Sequence, residues 1–208
     1  MTLTQVVDAL IQQNIKRAQA LESYQSRRTY TLFYKGFPND LHAALVVDMT
    51  YLAPDTKDFQ VISQSGPTWL VDQILMRLVK TEKSAQQQKV RNAIDLNTQN
   101  YNFSNLQDQP AADHCSYILS VEPRTPNKLM YRGRIWVNDQ DFAVCRIEAT
   151  PSKKPSFWTT STTIAQLYQK IGNFWLPEKN TVSLSIATPN TPRKSCSSFR
   201  HSRKNGRF

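Results

Sequence analysis

Hydrophobic and polar residues alternate at period two through much of this chain. The run Tyr131–Ile147, YRGRIWVNDQDFAVCRI, shows it most clearly. Gly133, Ile135 and Val137 fall on one face, with Arg132, Arg134 and Trp136 on the other. Asn138-Asp139-Gln140-Asp141 interrupts the run, and alternation resumes with Ala143, Cys145 and Ile147 against Phe142, Val144 and Arg146. Two strands joined by a polar turn form an antiparallel hairpin. Similar segments recur. Tyr30, Leu32 and Tyr34 alternate within Thr29–Lys35, and Ala43, Leu45, Val47, Met49 and Tyr51 line one face of Ala43–Tyr51. Phe59, Val61 and Ser63 alternate after the Pro54-Asp55 turn. Ser116–Val121, Thr160–Ile171 and Phe174–Ile186 follow, with Gly172-Asn173 as a hairpin turn and Tyr101–Leu106 as a weaker strand signal.

Two segments step at helical spacing instead. Val6, Val7, Leu10, Ile11, Ile15, Ala18 and Leu21 form one stripe in Thr4–Glu22, with Thr4 as the N-cap. Leu70, Val71, Ile74, Leu75, Leu78 and Val79 form another in Trp69–Arg91, where Thr68 is the cap and Lys80–Asn92 is polar and expected to fray or project. The order is helix, three strands, helix, then about six strands, without the βαβ alternation of a parallel sheet. The expected fold is α+β: a single curved antiparallel sheet forming an unclosed β-barrel, with the two helices covering its concave face.

Charge changes the picture less than its total suggests. The chain of 208 residues carries a net charge of +10. Arg193, Lys194, Arg200, Arg203, Lys204 and Arg207 lie beyond residue 187 with no acid among them, which leaves 20 basic against 16 acidic residues before it. The expected organisation is therefore a half-barrel domain over residues 1–187 and a basic, disordered tail over 188–208. Such a tail attracts anionic lipid or nucleic acid without specificity. No specific nucleic-acid partner is expected, and nucleic-acid binding through the tail is the weakest reading. No run of eighteen apolar residues is present, so no transmembrane helix is expected. The chain also starts without a basic-then-apolar leader.

Candidate chemistry is sparse. No GxSxG, HExxH, P-loop or GxGxxG motif occurs. His42 and His114 lack a nucleophile motif around them, and Asp139 and Asp141 read as turn formers. Cys115, Cys145 and Cys196 have no metal-ligand spacing. Cys145 reads as a small buried strand residue, and it and Cys115 are a candidate pair in an oxidising compartment. No enzyme, metal or cofactor is expected. Apolar residues outnumber the visible core positions instead. Leu70, Ile74, Leu75 and Leu78 are assigned to the inner face of a lid, and Trp69, Trp136, Phe157 and Trp158 to the mouth of an apolar cavity. Plain core packing is the competing assignment for each. An open sheet under two short helices leaves apolar area that prefers a guest to water, by about 25 cal/mol per Å².

On SYQSRRTYTLFYKG, VVDMTYLAPDTKDFQVISQSG, the helix from Trp69, GRIWVNDQDFAVCRIEA, KPSFW and KIGNFWLPEKNTVSL, the chain resembles the periplasmic lipoprotein-carrier superfamily. This superfamily includes LolA, LolB, RseB and outer-membrane lipoprotein-sorting proteins. The resemblance spans about residues 4–187 and rests on structural hairpins. It implies a half-barrel whose cavity holds a lipid or lipoprotein acyl chain without catalysis. It also implies a periplasmic location, with a signal peptide that this sequence lacks, and a monomer. The alternative it implies is an RseB-like envelope sensor that binds a protein partner. In the carrier, a basic residue before the proline of an early strand latches the lid. Here Ala53 precedes Pro54, so that latch is missing or replaced. The last strand of the family is expected to continue beyond Val182–Ile186, where this chain turns basic and serine-rich.

Overall fold

Thr2, not Thr4, starts the first helix. In a computed structural model that describes residues 1–34, 39–85, 88–153, 159–186 and 193–202, α1 runs over Leu3–Ala20. The Thr2 hydroxyl accepts from the Gln5 backbone N–H, and the Gln5 side chain returns a bond to the Thr2 N–H. This reciprocal box satisfies two end donors at once, which Thr4 inside the helix does not do.

Three strands follow, β1 (Ser23–Tyr34), β2 (Leu41–Leu52) and β3 (Thr56–Ser65). They pair antiparallel in sequence order. The alternation in β2 is the one expected, with Ala43, Leu45, Val47, Met49 and Tyr51 all buried. Gly66 ends β3 at φ +95°, and a Cβ there would stand 2.4 Å from the His42 carbonyl oxygen. Only glycine makes that bend so close to a neighbouring backbone.

The second helical segment is composite. It consists of α2 (Thr68–Leu70), a π-turn over Val71–Leu75, α3 (Met76–Ala85) and α4 (Gln88–Ile94). Thr68 is its first helical residue, not its cap: Pro67 holds the cap position and no side chain bonds there. The polar half expected to fray is helical through Ala85 and again from Gln88.

Seven further strands complete the sheet: β4 (Tyr101–Asp108), β5 (Tyr117–Pro123), β6 (Tyr131–Val137), β7 (Val144–Pro151), β8 (Thr159–Ile171), β9 (Phe174–Ile186) and β10 (Arg193–Ser202). All ten form one sheet in the order β3-β2-β1-β10-β9-β8-β7-β6-β5-β4. The recorded ladders are antiparallel. The edges β3 and β4 are not paired with each other, so the barrel stays unclosed. The chain between those edges is the composite helix, which therefore spans the open seam.

The expectation of a disordered segment from residue 188 onward is corrected over 193–202. There β10 pairs with β9 on one side, Arg193 opposite Ile186, and with β1 on the other, Arg27 opposite Ser202. Polar composition hid this strand, because a central strand is held by backbone hydrogen bonds on both sides whatever its side chains. The remainder of 188–208 lies outside the described residues.

Two main cores form on the same face of the sheet, one under each helical element. Val6, Val7 and Leu10 of α1 pack with Tyr101, Leu119, Ile135, Val137 and Ile147 of β4–β7. Leu70, Val71, Leu75 and Val79 pack with Tyr30, Leu32, Leu45 and Val47 of β1–β2. Ile94, the last residue of the composite helix, and Leu96 just after it reach the first core. The helical segment thus starts on one end of the sheet and finishes on the other.

Candidate functional site

The inner face is covered at its two ends, and β8 and β9 lie between. Ladder register identifies the side chains of this strip. Buried Ile147 and Ala149 of β7 stand opposite Gln166 and Ile164 of β8, which stand opposite Asn180 and Val182 of β9. Thr162 is two residues further along β8 on the same face. Tyr168 packs at the margin of the first core and Val182 at that of the second. The strip is therefore a floor of mixed character: Ile164 and Val182 beside Thr162, Gln166 and Asn180. A mostly apolar cavity with few polar groups was expected, and this strip sets three polar members beside two apolar ones. Thr162 Oγ1 and Asn180 Oδ1 are buried without a hydrogen-bond partner. Burial also pushes the Tyr168 hydroxyl up to about 12, so it stays protonated.

Apolar residues on the stripes of the two helical elements are incompletely covered. Ile15 continues the stripe of α1 but is 46 % exposed, and Leu78 of α3 is 37 % exposed. The π-turn explains the second case. Met76 N–H bonds the Val71 carbonyl, five residues back. That extra residue rotates everything after it relative to a regular helix. The buried row becomes Leu70, Val71, Leu75 and Val79, while Ile74 is partly buried and Leu78 moves to the edge.

The sequence-derived site residues consequently separate. Leu70 and Leu75 fill the core under the helix, so they do not line a hollow. Ile74 and Leu78 are at its margin. Trp69 is 49 % exposed at the start of the helix, outside the core. Trp136 lies on the outer face of the sheet, because its neighbours Ile135 and Val137 are the buried ones. Phe157 and Trp158 lie outside the described residues.

An ionic cluster that sequence reasoning missed fixes the composite helix to the sheet. Glu82 of α3 accepts from Arg28 of β1, which is 3 % exposed, and from Lys57 of β3 at 2.9 Å. The Tyr30 hydroxyl donates to it at 3.3 Å, and the Arg28 guanidinium lies over the Phe59 ring. Burial pushes the Glu82 carboxyl up, but Arg28 and Lys57 outweigh it and hold the group at about 2. Burial and the Glu82 charge push the Tyr30 hydroxyl up to about 12. Ala53, joined to Pro54 by a cis peptide, supplies no charge to this seam. Arg28 and Lys57 are the basic groups that do. The signal was present: Arg28 stands in period-two register with Tyr30 and Leu32, on the apolar face of its strand.

A second concavity, of about 520 Å³, lies on the outer face. Ile118, Trp136, Leu167 and Trp175 give it apolar surface, with Arg146 and Lys170 beside them. Cys115 and Cys145 form a disulfide, which pins the loop between β4 and β5 against the start of β7. His114 and Ser116 of that loop also bond Asp139, at 3.2 and 2.6 Å. Both indoles are held. Trp136 has the Arg134 and Arg146 guanidinium carbons at 5.1 and 4.7 Å from its ring. Trp175 Nε1 donates to Asp141 at 2.9 Å, and Lys170 bonds the same carboxylate at 2.7 Å. Among the described residues no cluster of His, Cys, Asp and Glu is able to hold a metal ion, and no helix is long and apolar enough to cross a membrane.

No protein-family model and no curated protein matches the chain. Several solved structures do. A DUF1329 family protein of Desulfovibrio piger is similar over 99 % of this chain and 92 % of its own, at 15 % identity and a TM-score of 0.45. An outer membrane lipoprotein-sorting protein domain of Vibrio parahaemolyticus covers 96 % of this chain and 90 % of its own, at 9 % identity and 0.44. A LolA superfamily protein of Nitrosomonas europaea covers 95 % and 91 %, at 10 % identity and 0.39.

Proposed function

We propose that this protein binds the acyl chain of a lipid or lipoprotein between its helices and the inner face of its sheet, without catalysis, in the cell envelope. The single observation that carries this reading is the division of the inner face. Each helical element builds its own core at one end of the sheet; Thr162, Ile164, Gln166 and Asn180 between them belong to neither, and Val182 stands at the margin of the second. Ile164, Val182, Ile15 and Leu78 supply apolar surface that a chain would remove from water. The unpartnered oxygens of Thr162 and Asn180 suit a guest that also carries a hydrogen-bonding head or linkage. The Cys115–Cys145 disulfide supports an oxidising compartment, where such bonds persist.

The test is binding of dansyl-undecanoic acid to the purified protein, followed by its displacement with phospholipid and with an acylated peptide. A saturable rise in dansyl emission, displaced by either lipid, is the expected result. Ile164→Lys, which puts a charge in the centre of the strip, should weaken probe binding about tenfold. Absence of any saturable binding overturns the reading.

The envelope-sensor alternative is favoured by one observation, the exposure of Trp69 at the start of the composite helix. Large aromatics in such positions anchor protein partners. If Trp69→Ala abolishes capture of an envelope protein but leaves dansyl-undecanoate binding intact, the sensor role gains over the carrier role.

A further inference from the structure

We infer that the outer-face groove around Trp136 and Trp175 is a second binding site, and that it takes an uncharged saccharide. Its size, about 520 Å³, falls within the range of about 300–1,000 Å³ for small-ligand sites. It is also built rather than incidental. The disulfide and the His114–Asp139 and Ser116–Asp139 contacts hold one wall. The two indoles are fixed from their edges and faces by Asp141, Arg134 and Arg146. Rigid aromatic surfaces lose little freedom when a ligand settles on them, which favours binding.

The surrounding charges select the ligand class. Arg146 and Lys170 are balanced by Asp113 and Glu178 along the same lining. Glu148 also pairs with Arg146 and Arg134, and Asp141 with Lys170, so acids around the groove at least match its bases. A groove of balanced charge gives no net attraction to a polyanion, and its charged and amide groups are poor company for a bare hydrocarbon chain. What fits is a ligand with apolar C–H faces to lie on the Trp175 indole and Leu167, and many neutral hydroxyls to meet the guanidiniums stacked on Trp136 and the planar polar side chains nearby. Gln169 and Glu178 are such side chains, and among the described residues neither has a hydrogen-bond partner. Leu167, 40 % exposed, extends the apolar floor between them. A sugar ring combines both requirements, and this site is independent of the inner hollow.

The experiment is titration of the full chain with cellotetraose, maltotetraose and chitotetraose, following tryptophan emission and heat. At least one saccharide should bind saturably and change indole emission. Its affinity should vary less than about twofold between roughly 50 and 500 mM salt, because no net charge is neutralised. Trp136→Ala should weaken that binding at least about tenfold. Gln169→Ala, a change at a half-buried strand position whose side chain has no hydrogen-bond partner among the described residues, should weaken it several-fold with little shift in melting temperature, which separates loss of a contact from loss of the fold. Dansyl-undecanoate binding should persist in both variants. Absence of saccharide binding at millimolar concentration overturns the inference. So does binding that Trp136→Ala and Gln169→Ala both leave intact, or occupation of this groove by laurate or an acidic peptide instead.

Discussion

Glu82 is the residue on which the position of the composite helix most depends. Its carboxylate joins α3 to β1 and β3 at once, through Arg28 and Lys57. Removing it strands a guanidinium that is 3 % exposed. Breaking a fully buried pair costs about 3–5 kcal/mol. Here the Glu82 side chain keeps 30 % exposure, and screening brings the expected loss for Glu82→Gln to about 2–3 kcal/mol. Urea unfolding at neutral pH checks this. The pH dependence has a definite sign. The folded carboxyl titrates at about 2, below its ordinary 4.5, so the ionised form favours folding. The stability it contributes is complete above about pH 4.5 and is lost as pH falls toward 2. The stability gap between wild type and Glu82→Gln should therefore close over that window. A gap that stays constant down to pH 2 would remove the cluster from this role. Arg28 was legible as a basic residue on an apolar strand face, but its partner lies 54 residues away. No local pattern connects them.

At the scale of elements, the π-turn decides which leucines matter. A regular helix from Trp69 puts Leu70, Ile74 and Leu78 on one line, four residues apart. The structure buries Leu70 and Leu75 and leaves Leu78 at the edge. Leu75→Ala should then cost about 2–5 kcal/mol, as for a tightly packed core leucine. Leu78→Ala should cost less than about 1 kcal/mol and alter acyl-probe binding instead. Equal losses for the two would restore a regular helix. The loop wall of the outer groove is a second element whose hold is testable. The Cys115–Cys145 bond closes a loop of 30 residues, and removing such a constraint by Cys145→Ser should cost about 3–4 kcal/mol. Chemical denaturation with and without reductant measures it, and a reductant-insensitive midpoint would contradict it. Strand existence was readable because alternation is a local property; the π-turn was not, because one inserted residue leaves the apolar content of the stripe unchanged.

For the whole molecule, the deciding feature is β10. It lies between β1 and β9, so it joins the three-stranded and six-stranded parts into one sheet. Deleting residues 188–208 should lower the unfolding temperature and promote self-association, because two bare strand edges would face solvent. A deletion variant that stays monomeric with an unchanged melting curve would argue against a central β10. The same variant tests nucleic-acid affinity, which should vanish with the basic residues it removes. The sequence by itself determined the strands through Ile186, the antiparallel class and the faces of β2 and β6, since side-chain period and turn chemistry act over a few residues. Tertiary structure alone decided the central place of β10, the polar strip between two cores and the ionic seam at Glu82. Each of these depends on which distant segments share a ladder or a contact, and free energy from backbone pairing and charge burial is assigned only once the chain has closed on itself.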